Sequence, residues 1–383
     1  SLFMKKVLFI SDGLGCGGSE QSLVSLLATL DYSKIEVDLL LRCRGGVFER
    51  CVPKDVNIIS FDPRSTSKFG YWIANRLYSI DLRMNKGKVH SAELLWKRVE
   101  RYIGSMANHY DVAIAFHQGF PTFYLATKVR STKKAARVNI DMLKANYNQD
   151  FCRKYYDQCD SVIAISDALD IQLRTSNYIT DKGIVTTIYN VFNVDLINSL
   201  SKEPVFSDNY SGLRIVTTGR LVDQKGYDLA IKTASILKRR ISNFRWYFVG
   251  EGEKRAELER MVLQYGLQEN VVLLGLQTNP YPFMKKCDIY VQTSRFEGLG
   301  RTVTEAKILR CPIVTTNFPS AFDQIQDRKN GLICEMDENS IADAIIMIVE
   351  DTELRNTLVR NVSEERYATA STESEKMMRY ILS

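Results

Sequence analysis

A chain of 383 residues with 45% hydrophobic and 25% charged side chains has the balance of a soluble globular protein and exceeds what one core usually supports, so two domains of similar size are expected. Its net charge of +6 is uneven: residues 1–200 hold 26 Lys+Arg against 20 Asp+Glu (26 − 20 = +6), and residues 201–383 hold 25 of each (25 − 25 = 0). No run of about 18 apolar residues occurs, as a membrane-crossing helix would need, and the first residues enter a strand-like segment without a signal-peptide core, so the cytoplasm is the expected location.

The first strand, "KKVLFIS", runs into "SDGLGCGGSEQSL", where Gly13, Gly15 and Gly18 satisfy the G-x-G-x-x-G pattern of a dinucleotide site. The next strand, "IEVDLLL", should then finish on an acidic residue for the ribose, yet Arg42 and Arg44 follow it. What survives is physical. Gly17 and Gly18 let backbone amides approach an anion at a helix N-terminus, and a tight turn without a ligand is the alternative.

The strands "VNIISF", "DVAIAFH", "KAARVNI", "SVIAIS" and "GIVTTIYN" complete the first half. His117, one of only 3 histidines, stands at the carboxyl end of one of them. Between strands, "FGYWIANRLYSIDLR" (69–83) sets aromatic residues beside Arg83, Lys86, Lys88, Lys97, Arg98 and Arg101, and "KVRSTKKAAR" (128–137) has cations without an acid. This surface suits an anionic bilayer; the other reading is a helix pair packed on the sheet. No nucleic-acid recognition motif accompanies it.

Polar, turn-forming residues gather at 190–212, and the strand pattern then resumes with "LRIVTTG", "FRWYFVG", "VVLLG", "CDIYVQTS", "CPIVTT" and "GLICE". Continuous apolar strands alternating with helices mean parallel sheets covered on both faces. The expected fold is α/β, with two Rossmann-like doubly wound domains, residues 1–195 and 196–365, facing a central cleft, and a final helix at 366–383 packing back on the first.

In the second half Arg220 follows a strand and Lys225 comes five residues later, a guanidinium and an ammonium suited to a diphosphate. The stretch "SRFEGLGRTVTEA" places Glu297 in a strand-to-helix turn and Glu305 about two turns into the helix, with the amides of Gly298, Leu299 and Gly300 between them. On one continuous helix two residues eight apart would sit roughly 80° apart around the axis. They would not share a face. No D-x-D occurs and the cysteines form no C-x-x-C pair, so no metal site is expected.

Together the E-x7-E stretch from Glu297 to Glu305, "GRLVDQKG", "VGEGE" (249–253), "GGSE" and "IYNVFNVD" resemble the GT-B-fold retaining glycosyltransferases of family 4 (group 1). The resemblance covers most of the chain and is strongest over 214–332. It implies a hexosyltransferase in polysaccharide or glycolipid assembly that takes a nucleotide-sugar, a UDP-sugar favoured, without a metal cofactor. Glu297 would contact the donor sugar, Glu305 the ribose, Arg220 and Lys225 the diphosphate, and His117 the sugar near its anomeric carbon. Gly17, Gly18, Gly298, Leu299 and Gly300 would line the donor pocket. The acceptor would be a glycan or lipid-linked glycan, met by a cytoplasmic enzyme peripheral to the inner face of the membrane. Where relatives carry N-G-V-D at the linker, this chain has Val191 and Phe192. Other readings remain open: a GT-B-fold sugar-nucleotide epimerase or hydrolase, an NAD(P)-dependent oxidoreductase, or a non-catalytic binding protein.

Overall fold

Each apolar run of the sequence becomes a strand, and the central ones, such as Ser161–Ala164 and Ile289–Gln292, are buried on both faces. In the computed structural model, which describes residues 4–15, 17–61, 68–85, 88–180, 183–206, 208–241, 243–297, 300–364 and 370–383, there are two units: Ser1–Asn193 with Ala368–Ser383, and Val194–Tyr367. Gly298, Leu299 and Lys86 lie outside the described residues.

The first unit runs β1 (Lys5–Ser11), α1 (Gly18–Leu27), β2 (Ile35–Leu41), β3 (Val56–Ser60), α2 (Lys68–Met84), α3 (Ser91–Val99), β4 (His109–Ala115), α4 (Phe120–Lys128), β5 (Arg130–Val138), α5 (Gln149–Tyr156), β6 (Ser161–Ala164), α6 (Asp167–Thr175) and β7 (Val185–Thr187). Its parallel sheet has the order β3-β2-β1-β4-β5-β6-β7. Along β1 successive side chains point to opposite faces, so Val7 and Phe9 enter one core while Leu8 and Ile10 enter the other. That is why the strand reads as unbroken hydrophobicity.

The second unit holds α7 (Val194–Leu200), β8 (Leu213–Thr218), α8 (Tyr227–Arg240), β9 (Phe244–Val249), α9 (Arg255–Gln264), β10 (Val271–Gly275), α10 (Tyr281–Lys285), β11 (Ile289–Gln292), α11 (Arg301–Ile308), β12 (Ile313–Thr316), β13 (Leu332–Cys334), α12 (Glu338–Glu350) and α13 (Thr352–Glu364). Its sheet is also parallel, in the order β10-β9-β8-β11-β12-β13. The last helix, α14 (Ala370–Leu382), belongs to the first unit, where Met377 and Ile381 are buried in the same core as Val7 and Phe9.

The cations of 128–137 do not form one solvated patch. Arg137 is buried, its guanidinium 4.2 Å over the Phe116 ring and donating to Asn190 Oδ1 at 3.0 Å. Lys133 donates to Tyr380 O (2.8 Å) on α14, and Lys134 to Ala126 O (3.0 Å). The linker departure has a packing reason too. Val191 is buried beside α1 and its amide donates to Ser22 Oγ at 3.1 Å, so the side chain that replaces glycine fills the first unit's core.

Among the described residues no helix is long and apolar enough to cross a membrane.

Candidate functional site

In each sheet the strand order reverses once, between β1 and β4 in the first unit and between β8 and β11 in the second. Chain connections on the two sides of such a point leave in opposite directions, and a ligand fits in the gap beyond the carboxyl ends of the strands. The candidate residues gather at these two points.

In the second unit Lys225 follows β8 and Glu297 follows β11. They form an ion pair across the reversal, with Nζ 2.5 Å from Oε1 and both side chains largely buried. Ser294 Oγ (2.6 Å) and Gln292 Nε2 (3.0 Å) donate to the same oxygen. The loop that presents Lys225 is set by Gly226: its φ of 63° is left-handed, and a Cβ there would stand 2.1 Å from Thr293 O. Arg220 lies on the same loop, exposed, with no hydrogen bond or ion pair of its side chain among the described residues.

Gly300 ends the β11 loop with φ 61° and is the N-cap of α11, where a Cβ would meet Gln324 Nε2 at 2.7 Å. No side chain caps this helix and no acid lies in its first turn, so its leading amides and dipole favour an anion. Because α11 begins only at Arg301, Glu305 sits a little over one turn along it, not two. Glu305 is 4% exposed, and its Oε1 accepts from Arg301 Nε (3.0 Å) and Tyr281 OH (3.3 Å). Burial raises its pKa, and Arg301 opposes that shift.

In the first unit Ser11 ends β1 and His117 lies just beyond β4, with Ser11 Oγ 3.2 Å from His117 Nδ1 across the reversal. His117 is 7% exposed, and its Nε2 is buried without a hydrogen-bond partner among the described residues. Burial lowers its pKa, only partly offset by the Glu20 and Asp12 carboxylates, so the ring is neutral at neutral pH. It lines a cavity of about 200 Å³ with Asp12, Arg42, His90, Gln118 and Tyr147. Arg42, the residue that spoke against a nicotinamide dinucleotide, is paired with Asp12 at 2.6 Å.

Gly17 is the N-cap of α1 and Gly18 its first residue. The Glu20 carboxylate folds back so closely that a Cβ on Gly17 would meet its Oε2 at 2.1 Å, and an anion at this helix end would have to displace it. Sequence reasoning missed Ser11, Gln292, Ser294, Tyr281 and Arg301. Ser11, Gln292 and Ser294 stand at or just past strand ends and Arg301 one helical turn before Glu305, which would have marked them, while Tyr281 opens α10 far from Glu305 in the chain. Among the described residues no cluster of three or more His, Cys, Asp or Glu side chains is arranged to hold a metal ion.

Residues 208–365 match the family model described as Glycosyl transferases group 1. The matched segment covers most of the second unit. The Lys225–Glu297 pair and the α11 N-terminus lie inside the matched glycosyltransferase segment. An uncharacterised glycosyltransferase of Methanocaldococcus jannaschii is 26% identical over 240 residues, 53% of this chain and 58% of its own length. The N-acetylgalactosamine-N,N'-diacetylbacillosaminyl-diphospho-undecaprenol 4-alpha-N-acetylgalactosaminyltransferase of Campylobacter jejuni is 25% identical over 371 residues, 92% of each chain. Among solved structures, Anabaena Alr3699/HepE in complex with UDP and glucose matches with a TM-score of 0.69 and 18% identity, covering 99% of both chains. That likeness is one of fold, and the two Rossmann-like domains are those of GT-B.

Proposed function

We propose that the chain is a retaining hexosyltransferase that moves a sugar from a UDP-sugar to a glycan or lipid-linked glycan acceptor. The observation that carries this reading is the Lys225–Glu297 pair and the N-terminus of α11, capped by no side chain, which put a cation, a carboxylate and leading helix amides around one strand-order reversal. Arg220 and Lys225 take the diphosphate, and the α11 amides add their dipole. Glu297, held by three donors on Oε1, offers Oε2 to the sugar hydroxyls. Glu305 accepts from the ribose, and the neutral His117 uses its Nε2 toward the sugar hydroxyls near the anomeric carbon.

The reaction breaks the bond between the anomeric carbon and the diphosphate oxygen while the acceptor oxygen bonds to that carbon on the same face. The acceptor's proton passes to the departing phosphate. Cations fixed in place before the reaction stabilise that growing charge, which is why the reading is metal-independent. The Anabaena structure holds UDP and glucose, and the Campylobacter enzyme is named for a diphospho-undecaprenol acceptor; both support the donor and acceptor classes. The enzyme works in the cytoplasm, at a membrane surface that presents the acceptor.

A thermal-shift series with UDP, GDP and ADP, followed by donor turnover with and without EDTA, tests this. UDP raises the melting temperature most, and turnover survives EDTA. Release of free sugar at the same rate with and without lipid-linked acceptors, or EDTA inhibition that magnesium reverses, overturns the reading.

A further inference from the structure

The second unit has a second concave site that the proposed reaction does not use. It is a cavity of about 780 Å³, within the size range of small-molecule sites, lined by Lys202, Lys285, Lys286, Lys307 and Arg310 and, among the described residues, by no Asp or Glu. Lys202 follows α7, Lys285 and Lys286 end α10, and Lys307 and Arg310 end α11. None of the donor-site residues lines it. The eight residues of α11 span about 12 Å, so donor pocket and basin occupy opposite ends of one short helix.

Cations at helix C-termini have an ordinary use, since they offset the negative end of the dipole. Three helix ends supply about half a negative charge each, far less than five cations. Two of the lysines are engaged in this way or similarly: Lys285 donates to Leu309 O (3.1 Å) and Lys307 to Gln324 O (2.8 Å). Among the described residues, Lys202, Lys286 and Arg310 form no ion pair and no side-chain hydrogen bond. This cluster of cations occurs in a half of the chain whose overall charges cancel.

Arg310 adds a second observation. The amide of Cys311 bonds to Ala306 O (3.0 Å) and that of Arg310 to Lys307 O (2.9 Å), the paired bonds of a Schellman motif. The residue in its left-handed position is normally glycine, yet here it is an arginine at φ 61°. Glycine would close this helix without strain, so the closing motif does not account for the guanidinium.

We propose that this basin binds a phosphate-bearing ligand, a pyrophosphate or phosphodiester group, separately from the donor diphosphate. Arg310 forks onto the phosphate oxygens, Lys202 and Lys286 supply point charges, and Lys285 and Lys307, held on carbonyls, line the floor.

Calorimetry with inorganic pyrophosphate compares an Arg220→Ser protein, whose donor loop is weakened, with the same protein also carrying Lys202→Ser, Lys286→Ser and Arg310→Gly. The first protein binds pyrophosphate, more weakly as salt rises, and the second loses at least tenfold in affinity. Since Arg310→Gly relieves a left-handed arginine and both lysines are exposed, the melting temperature of the second protein does not fall. A parallel arm sediments both proteins with phosphatidic acid vesicles. A fall in retention with the three substitutions assigns the phosphate to a lipid headgroup; pyrophosphate binding with retention unchanged by them assigns it to a soluble ligand. Equal affinity of the two proteins for pyrophosphate, or binding by neither, overturns the proposal.

Discussion

At the scale of single residues, the Lys225–Glu297 pair is expected to join stability to turnover. Both groups are largely buried, so removing one leaves the other charged without its partner, a change that costs about 3–5 kcal/mol in comparable buried pairs. Lys225→Ala and Glu297→Ala are each expected to lower turnover by on the order of 10²-fold or more and to lower the melting temperature. The double variant removes both charges, so its loss of stability should be smaller than the sum of the single losses by about 0.5–3 kcal/mol. Strict additivity in chemical denaturation would show that the two groups do not interact. Glu305→Ala should behave differently, because a ribose contact is equally strong in ground and transition states. It should weaken UDP binding more than it lowers kcat, and unchanged UDP affinity would remove Glu305 from the ribose.

His117 makes a pH prediction whose sign follows from burial. Its folded pKa lies below the ordinary value of 6.5, so in the interval between the two the unfolded chain binds a proton that the folded protein does not. Stability therefore rises with pH through that interval, is fully present above about 6.5, and is lost as pH falls. The melting temperature of the native protein should drop more between pH 7 and pH 5 than that of a His117→Asn variant. Parallel curves would mean the imidazole titrates as freely when folded as when unfolded.

At the scale of elements, α14 shows how a short terminal helix can be integral to a sheet domain. Ile381 and Met377 are fully buried against β1, the Lys5 ammonium donates to Ile381 O and Leu382 O at 3.0 Å each, and Ser161 meets Tyr380 OH at 2.6 Å. Ile381→Ala should destabilise the protein by about 2–5 kcal/mol in urea titration. A change below about 1 kcal/mol would mean the site collapses around the missing atoms or that the helix is not seated there.

Strands such as β6, β11 and β12 were legible in the sequence, because a strand buried on both faces cannot hide its hydrophobicity. The start of α11 was not, because the left-handed Gly300 that opens it leaves no capping side chain to read. Nor was the burial of Arg137, since only the fold brings Phe116 and Asn190 to it from distant parts of the chain. Glu297, Lys225 and Glu305 were found through their motif, but the Lys225–Glu297 bond, 72 residues apart in the chain, comes from the strand-order reversal, which no local pattern encodes.

At the scale of the whole molecule, the basic excess lies entirely in residues 1–200, and α2 gives it an apolar companion. Phe69, Trp72, Arg76, Ile80 and Arg83 recur at three- and four-residue steps on α2 and are exposed, with Trp72 56% accessible. Phe69 and Trp72 stack at 6.2 Å, and the Arg76 guanidinium lies 5.2 Å over the Trp72 ring. Tyr78 lines the His117 cavity instead, so it is not part of this stripe. Two stacked rings with arginines alongside match what an interfacial helix offers an anionic bilayer. Vesicles rich in anionic lipid should therefore retain the protein at low salt and release it as ionic strength rises, because each surface cation contributes only about 1 kcal/mol and is screened within about 10 Å at 0.1 M salt. Phe69→Ser with Trp72→Ser should weaken retention at every salt concentration while leaving the melting temperature within a few degrees, since exposed rings add little to the core. A neutralised Arg76 and Arg83 pair should instead flatten the salt dependence. If vesicles fail to retain the native protein at low salt, the stripe is not a bilayer contact, and a lipid-linked acceptor would have to leave the membrane to be used.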